Sequence, residues 1–136
     1  MGGCFRPPFV ATVEAFTRGC DIIRVMKVAV IGSREFPDEN KVREYVRNLP
    51  TGSIVVSGGA RGVDSWAEDE AKRNGLEVIV FAADWQKYGR RAGALRNTTI
   101  IETADVVAAF WDGVSRGTAD SIRKAKDADK SVEIFR

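Results

Sequence analysis

Glycine, hydroxyl and arginine residues follow two apolar runs of this 136-residue chain. The sequence SGGARG, residues 57–62, comes directly after the run SIVV. Glycines let a backbone approach a ligand closely, and the amides at a helix start favour an anion. The sequence SRGT, residues 115–118, offers the same groups after a later run. Together the two segments predict a site for one or two phosphate groups, although either alone is also typical of a tight strand–helix turn.

Arginines and aromatic residues accompany these segments. The aromatic side chains of Trp85, Tyr88 and Trp111 are suited to stacking on a base, whereas the position of Trp66 on an apolar helical stripe favours the core. A phosphorylated ligand with an aromatic base is a nucleotide. The arginines expected near it are Arg34, Arg61, Arg90, Arg91, Arg96 and Arg116, and the predicted binding residues are Gly32, Ser33, Arg34, Ser57, Gly58, Gly59, Arg61, Asp64, Arg96, Asn97, Trp111, Ser115, Arg116, Gly117 and Thr118.

The residue types restrict the chemistry. There is no histidine, so His-based catalysis and His-ligated zinc are excluded, and the two cysteines, Cys4 and Cys20, are too few for a structural zinc site. No metal and no cofactor other than a nucleotide-type ligand is predicted. Neither GxGxxG nor a P-loop is present, which argues against an ordinary NAD dehydrogenase or a Walker-type NTPase. The remaining catalytic candidates are Asp64, Asp84 and Asp112, of which Asp64 has a helix-capping role as an equal alternative.

Alternating strand and helix patterns would bring these loops together. Continuous apolar runs predict strands over 28–31, 53–56, 76–81, 105–110 and 131–135. Helical spacing predicts helices over about 38–49, 63–73, 91–103 and 117–129 between them. This alternation predicts a single Rossmann-like, doubly wound α/β domain with a five-stranded, mainly parallel sheet flanked by helices. The unusual loops all follow carboxyl ends of strands, which is where such sheets bind ligands.

Residues 1–25 differ from the rest of the chain. They lack a long apolar run, so neither a signal peptide nor a membrane span is predicted. We expect the folded domain to cover 26–136 and residues 1–25 to be an N-terminal extension, with a partner-binding arm as the alternative. A net charge of +2 is too small to indicate a membrane or nucleic-acid partner. Two cysteines do not make a disulfide scaffold, so a reducing, cytoplasmic location is expected.

Four segments resemble one known family. The sequences IGSREF, SGGARGVDSWAEDEA, FAADWQKYGRRAGALRN and VAAFWDGVSRGT are similar to the YspA-like, YpsA-related branch of the SLOG superfamily. This superfamily includes the LOG phosphoribohydrolases and the DNA-processing protein DprA. The resemblance implies a homodimer or higher oligomer and binding of a nucleotide-derived ligand. By position it carries over Gly32, Ser33, Arg34, Ser57, Gly58, Gly59, Asp64, Asn97, Ser115, Gly117 and Thr118.

One departure from the LOG pattern bears on catalysis. LOG enzymes carry PGGxGTxxE, in which the glutamate supports cleavage of the N-glycosidic bond, whereas this chain reads GVSRGTADS, with Ser121 in the place of that glutamate. Asp120 is one residue away, and one helical step turns a side chain by about 100°. We therefore expect a nucleotide sensor or carrier. A nucleoside-phosphate N-glycosidase is the alternative, and DprA-like binding of single-stranded DNA is a third hypothesis, against which the charge argues.

Overall fold

The computed structural model describes residues 26–136. The strands are β1 Lys27–Gly32, β2 Ile54–Ser57, β3 Glu77–Val80, β4 Val106–Phe110 and β5 Ser131–Phe135. The helices are α1 Glu39–Arg47, α2 Val63–Arg73, α3 Trp85–Tyr88, α4 Ala92–Thr103 and α5 Arg116–Asp127. Within this described part, no helix is long and apolar enough to cross a membrane. The predictions for residues 1–25 lie outside the described residues.

All five strands are parallel and lie in the order β3-β2-β1-β4-β5. Val28 in the central strand pairs with Val55 on one side and with Val106 on the other. The predicted α/β fold class is therefore confirmed. Because the chain first moves from β1 towards β3 and then returns to place β4 on the opposite side of β1, the strand order reverses between β1 and β4.

The central strand is buried on both faces. Val28 and Val30 belong to a core cluster that includes residues of α1 and α2, whereas Ala29 and Ile31 pack with residues of α4 and α5. Successive side chains of a strand point to opposite faces, so an uninterrupted apolar run is what this position requires. The sequence analysis predicted that helices cover both faces, and the structure shows which helices cover each face.

The connection after β3 contains an element that was not predicted. Residues Trp85–Tyr88 form the short helix α3, and a 3-10 turn, Gly89–Arg91, joins it to α4. Four residues are too few to display a helical apolar stripe, so periodicity could not find them. The Asp84 side chain, which accepts a hydrogen bond from the Lys87 amide, was the available signal.

Gly32 marks a close approach between the sheet and α2. A Cβ at this position would lie 2.6 Å from the Phe110 carbonyl oxygen of β4 and 2.6 Å from Val63 Cγ2 of α2. Real Cβ atoms do not approach backbone atoms so closely, and the carbonyl belongs to a paired strand that has little room to move. The glycine is therefore needed to pack the domain.

We predict that Gly32→Ala destabilises the domain by about 1–3 kcal/mol, because the added methyl must push β4 or α2 aside. Urea denaturation followed by tryptophan fluorescence would measure the loss. Gly93→Ala is the matched control, since a Cβ there would make an ordinary contact, 3.4 Å from the Trp85 ring. Equal stability of the Gly32→Ala variant and the wild type would contradict this account of Gly32.

Candidate functional site

A cavity of about 550 Å³ lies at the carboxyl ends of β1 and β4, where the strand order reverses. We call it the switch-point cavity. Its volume falls within the range of about 300–1,000 Å³ that is usual for small-molecule sites. The predicted site residues that line it are Gly32, Ser33, Arg34, Arg61, Asp64, Arg96, Asn97, Asp112, Ser115, Gly117 and Thr118.

Ser33 and Asp112 join the two central strand ends. The Ser33 amide donates to the Phe110 carbonyl at 3.0 Å, and its hydroxyl oxygen accepts from the Asp112 amide at 3.2 Å. Asp112 Oδ1 in turn accepts from the amides of Val114 and Ser115, both at 2.8 Å. These amides, together with the Ser33 hydroxyl, hold the pKa of Asp112 below its usual range. Asp112 thus lines the cavity as a carboxylate already engaged in shaping the loop before α5.

Helix α5 begins at the wall of this cavity with its first amides free of acceptors within the helix. The first amide to bond back along the chain is that of Ala119, which donates to Ser115 at 3.2 Å. Among residues 26–136, no side chain caps the helix start, and the first turn of α5 carries no acidic residue. Apart from its two neighbours in the chain and the backbone of its own helix, a Cβ on Gly117 would meet no atom of the described residues within 4 Å. Exposed amides and the positive end of the helix dipole suit an anion at this point.

Asp64 in the first turn of α2 is a buried carboxyl group that faces the cavity. It is 7% exposed, and its Oδ2 accepts from the Ala60 amide at 3.1 Å. Burial raises the pKa of Asp64 to about 6, although that amide and the charge of Arg96 act in the opposite direction. A carboxyl group that titrates near neutrality can exchange a proton with a ligand.

Glu70, on the same helix, shows how a buried carboxylate is otherwise accommodated. It accepts hydrogen bonds from Arg43 at 3.1 Å, Arg47 at 3.2 Å and Asn74 at 3.0 Å. Burial alone would raise its pKa, but these three donors together hold the pKa below its usual range. Asp64 has no comparable set of donors among the described residues. Its side chain borders the switch-point cavity instead.

Arg96 of α4 ties that helix to the loop after β2. Its Nη1 donates to the Gly58 carbonyl at 2.6 Å, and its Nε donates to Asn97 Oδ1 at 2.9 Å. A Cβ on Gly58 would lie 2.9 Å from Arg96 Nη1, so a side chain there would displace the guanidinium from its present position. The fully buried Ser57 donates its hydroxyl to Glu68 Oε2 at 2.6 Å. Ser57, Gly58 and Gly59, which were predicted to bind the ligand, are not among the residues that line the cavity.

The structure places three other predicted residues away from the cavity wall. Arg116 is exposed at the start of α5 and is not a lining residue. Trp111 is half-buried, with its Nε1 donating to the Ser115 carbonyl at 3.0 Å and the Arg136 guanidinium 5.1 Å from its ring centre. Asp84 lines a separate pocket beyond β3.

Two further placements concern residues outside the predicted set. Trp66 packs against the core, as its stripe position indicated. Glu35 lines the cavity and was missed, although it directly follows Arg34 in the loop after β1. Its Oε2 lies 4.0 Å from Arg61 Nη2, and both residues line the cavity.

Over residues 26–136 there is no cluster of side chains that could hold a metal ion.

Sequence comparisons match the chain to a family model and to a phage protein. Residues 26–88 match the model of the YspA, cpYpsA-related SLOG family. Gene 61 protein of Mycobacterium phage D29 is 37% identical in an alignment of 119 residues that covers 80% of this chain and 95% of that protein.

Two solved structures share the fold. DNA processing protein A (DprA) from Streptococcus pneumoniae has a TM-score of 0.68 at 20% identity, over 81% of this chain and 50% of that one. DprA from Helicobacter pylori has a TM-score of 0.61 at 22% identity, over 80% of this chain and 64% of that one. The chain thus spans about half to two thirds of these proteins.

We predict that Asp64→Asn removes a loss of folding stability that the wild type suffers as the pH rises. With a folded pKa near 6 and an unfolded pKa of about 3.9, the folded state retains a proton that the unfolded state loses between these values. The wild type should therefore lose stability as the pH rises from about 4 to about 6 and stay less stable above it. The variant should escape this loss and be more stable at pH 7 by about 1–3 kcal/mol.

Urea denaturation at pH values from 4 to 8 would measure the difference between variant and wild type. Asp127→Asn makes the same chemical change on an exposed side chain of α5 and serves as the matched control. The assignment fails if the wild type and Asp64→Asn follow the same pH profile.

Proposed function

The chain belongs to the YspA, cpYpsA-related SLOG family, and we propose that it binds a nucleotide or nucleotide-derived phosphorylated ligand in the switch-point cavity. The family and the fold support a domain that binds a nucleotide or DNA. The proposal of a small nucleotide is narrower and rests on the cavity itself. Its phosphate would lie at the start of α5, close to Gly117 and Thr118.

The observation that carries this proposal is the uncapped start of α5 at the wall of the switch-point cavity. The amides of Arg116, Gly117 and Thr118 have no acceptor within the helix, and a Cβ on Gly117 would extend into open space. Unpaired amides at a helix start bind phosphate well. The arginines Arg34, Arg61 and Arg96 add positive charge to the same cavity.

A sensor or carrier role is favoured over catalysis because α5 supplies no carboxylate to the cavity. Ser121, in the position of the LOG glutamate, is buried and lines the cavity. The neighbouring Asp120 is not a lining residue, and its carboxylate is paired with Arg123 and with Lys124, the latter at 3.0 Å. As in related domains, we expect a homodimer or higher oligomer, which light scattering would measure.

Asp64 favours a second candidate, a nucleoside-phosphate N-glycosidase. It is a buried carboxyl group in the cavity with a pKa raised by burial to about 6. A carboxylate can stabilise the oxocarbenium-like centre of such a reaction or activate the attacking water. Of the three aspartates predicted as catalytic candidates, Asp112 is engaged by loop amides and Asp84 lies in another pocket, so Asp64 is the remaining candidate.

A proton NMR titration with nucleoside monophosphates, ADP-ribose and NAD tests binding and cleavage together. Broadening of base protons without new signals would support the sensor or carrier. New signals of free base and ribose phosphate that disappear in Asp64→Asn would support the glycosidase. DprA from Helicobacter pylori binds single-stranded DNA, so oligonucleotide binding that weakens steeply with salt, without response to mononucleotides, would favour that function and contradict our proposal.

We predict that Gly117→Ala weakens nucleotide binding at least tenfold while leaving the fold intact. The added methyl would occupy the space proposed for the phosphate, whereas alanine favours the helix by up to about 1 kcal/mol over glycine. Isothermal titration calorimetry would measure the affinity, and thermal unfolding the stability.

Gly93→Ala is the matched control because Gly93 and Gly117 are each the second residue of their helix. Gly93 lines neither cavity described here, so its substitution should leave the affinity unchanged. Unchanged affinity in Gly117→Ala would place the phosphate elsewhere.

A further inference from the structure

A second pocket of about 340 Å³ lies on the same edge of the domain, beyond the carboxyl end of β3. We call it the β3 pocket. Apolar and aromatic side chains dominate its wall, together with one carboxylate and one guanidinium. Its lining residues are Phe81, Ala82, Asp84, Tyr88, Ala92, Leu95, Arg96, Thr98 and Thr99.

Arg96 connects the β3 pocket with the switch-point cavity, since its side chain lines both. In the sheet, β2 lies between β1 and β3, and Arg96 is bonded to the Gly58 carbonyl in the loop that follows β2. A ligand that extends from the start of α5 towards β3 would therefore pass over Arg96. The two spaces are adjacent parts of one edge.

The β3 pocket exposes apolar side chains to solvent, and the hydroxyl groups in its wall are already hydrogen-bonded. Tyr88 is 44% exposed and Leu95 is 36% exposed. The hydroxyls of Thr98 and Thr99 donate to the carbonyls of Ala94 and Leu95 in their own helix. A flat aromatic ligand would remove the apolar surface from water and could stack on the tyrosine ring.

Asp84 supplies a fixed acceptor at this pocket. Its Oδ1 accepts from the Lys87 amide at 3.1 Å, which anchors the carboxylate at the start of α3. Among the described residues, no donor reaches its other oxygen. An exocyclic amino group of a base is a suitable donor for that oxygen. Uracil, by contrast, flanks its ring N–H with two carbonyl oxygens that a carboxylate repels.

We propose that the β3 pocket receives the base of the nucleotide whose phosphate lies in the switch-point cavity, and that it prefers amino-bearing bases over uracil. The inference rests on the proposed function and adds the position and class of the base. Tyr88 stacks on the base, Asp84 accepts from its amino group, and Arg96 lies beneath the sugar.

The test compares ligands with and without a base. Calorimetric affinities for AMP, CMP, GMP, UMP and ribose 5-phosphate would be measured with the wild type, Tyr88→Ala and Asp84→Asn. Tyr88 is 44% exposed and does not belong to the buried core, and asparagine is as good a helix cap as aspartate, so both variants should fold. We expect Tyr88→Ala to lower the affinity for AMP at least about fivefold because stacking is lost, and to leave the affinity for ribose 5-phosphate unchanged. Asp84→Asn should narrow the preference for CMP over UMP.

The possible failures are distinguishable by the ligand they affect. In the first case, Tyr88→Ala and Asp84→Asn bind all four nucleotides with the affinity of the wild type, while Gly117→Ala lowers that affinity. The base then lies elsewhere and only this inference fails. If UMP binds the wild type as tightly as CMP, the assigned role of Asp84 is wrong. If neither the nucleotides nor ribose 5-phosphate bind the wild type, the proposed function fails and this inference fails with it.

Discussion

The reversal of strand order at β1 is the constraint on which the candidate site depends. β1 is covered by helices on both faces and pairs with β2 and β4, so its side chains belong to the core and only its carboxyl end can contact a ligand. The helices that leave the sheet on either side of the reversal cover opposite faces, so no crossover closes the space between the ends of β1 and β4. The switch-point cavity is the space that this topology leaves open.

Several loops are ordered by interactions within the protein before any ligand binds. Asp112 accepts from two amides of its own loop, and Arg96 is bonded to the Gly58 carbonyl. Such contacts fix the start of α5 and the wall behind it, so little conformational entropy is left to lose on binding. Asp64 differs, because its burial destabilises the charged form without a paired cation close enough to compensate. Functional sites commonly contain a carboxyl group whose burial at a cavity wall destabilises its charged form.

The fold was predictable from the sequence because two-sided burial leaves a clear pattern. The five apolar runs matched the strands to within a residue or two, and the helical stripes identified α1, α2, α4 and α5. The short helix α3 was not predicted because four residues cannot display a helical stripe. Which loops share an edge was also predictable, since parallel strands all end on the same side.

The roles of individual site residues were less predictable, because they depend on distances between loops. A glycine that admits a ligand and a glycine that admits a neighbouring side chain look the same in a sequence. Gly117 borders open space, whereas Gly58 makes room for Arg96 and Gly32 makes room for the Phe110 carbonyl. Likewise, nothing in the sequence shows that the Ser57 hydroxyl is already bonded to Glu68, or that Asp84 lies in a different pocket from Asp64.

The pairing of β1 with β4 also determines when the site can form. β1 pairs with β2 after a short βαβ connection, but Val28 and its partner Val106 are separated by roughly 80 residues of chain. Closing so long a loop is entropically costly and tends to be slow, so the first three strands can assemble before β4 arrives. The cavity wall is incomplete until that last long-range pairing is made. A bound ligand would therefore act on the slow, non-local part of the folding reaction, and would stabilise mainly the completed domain rather than its N-terminal half.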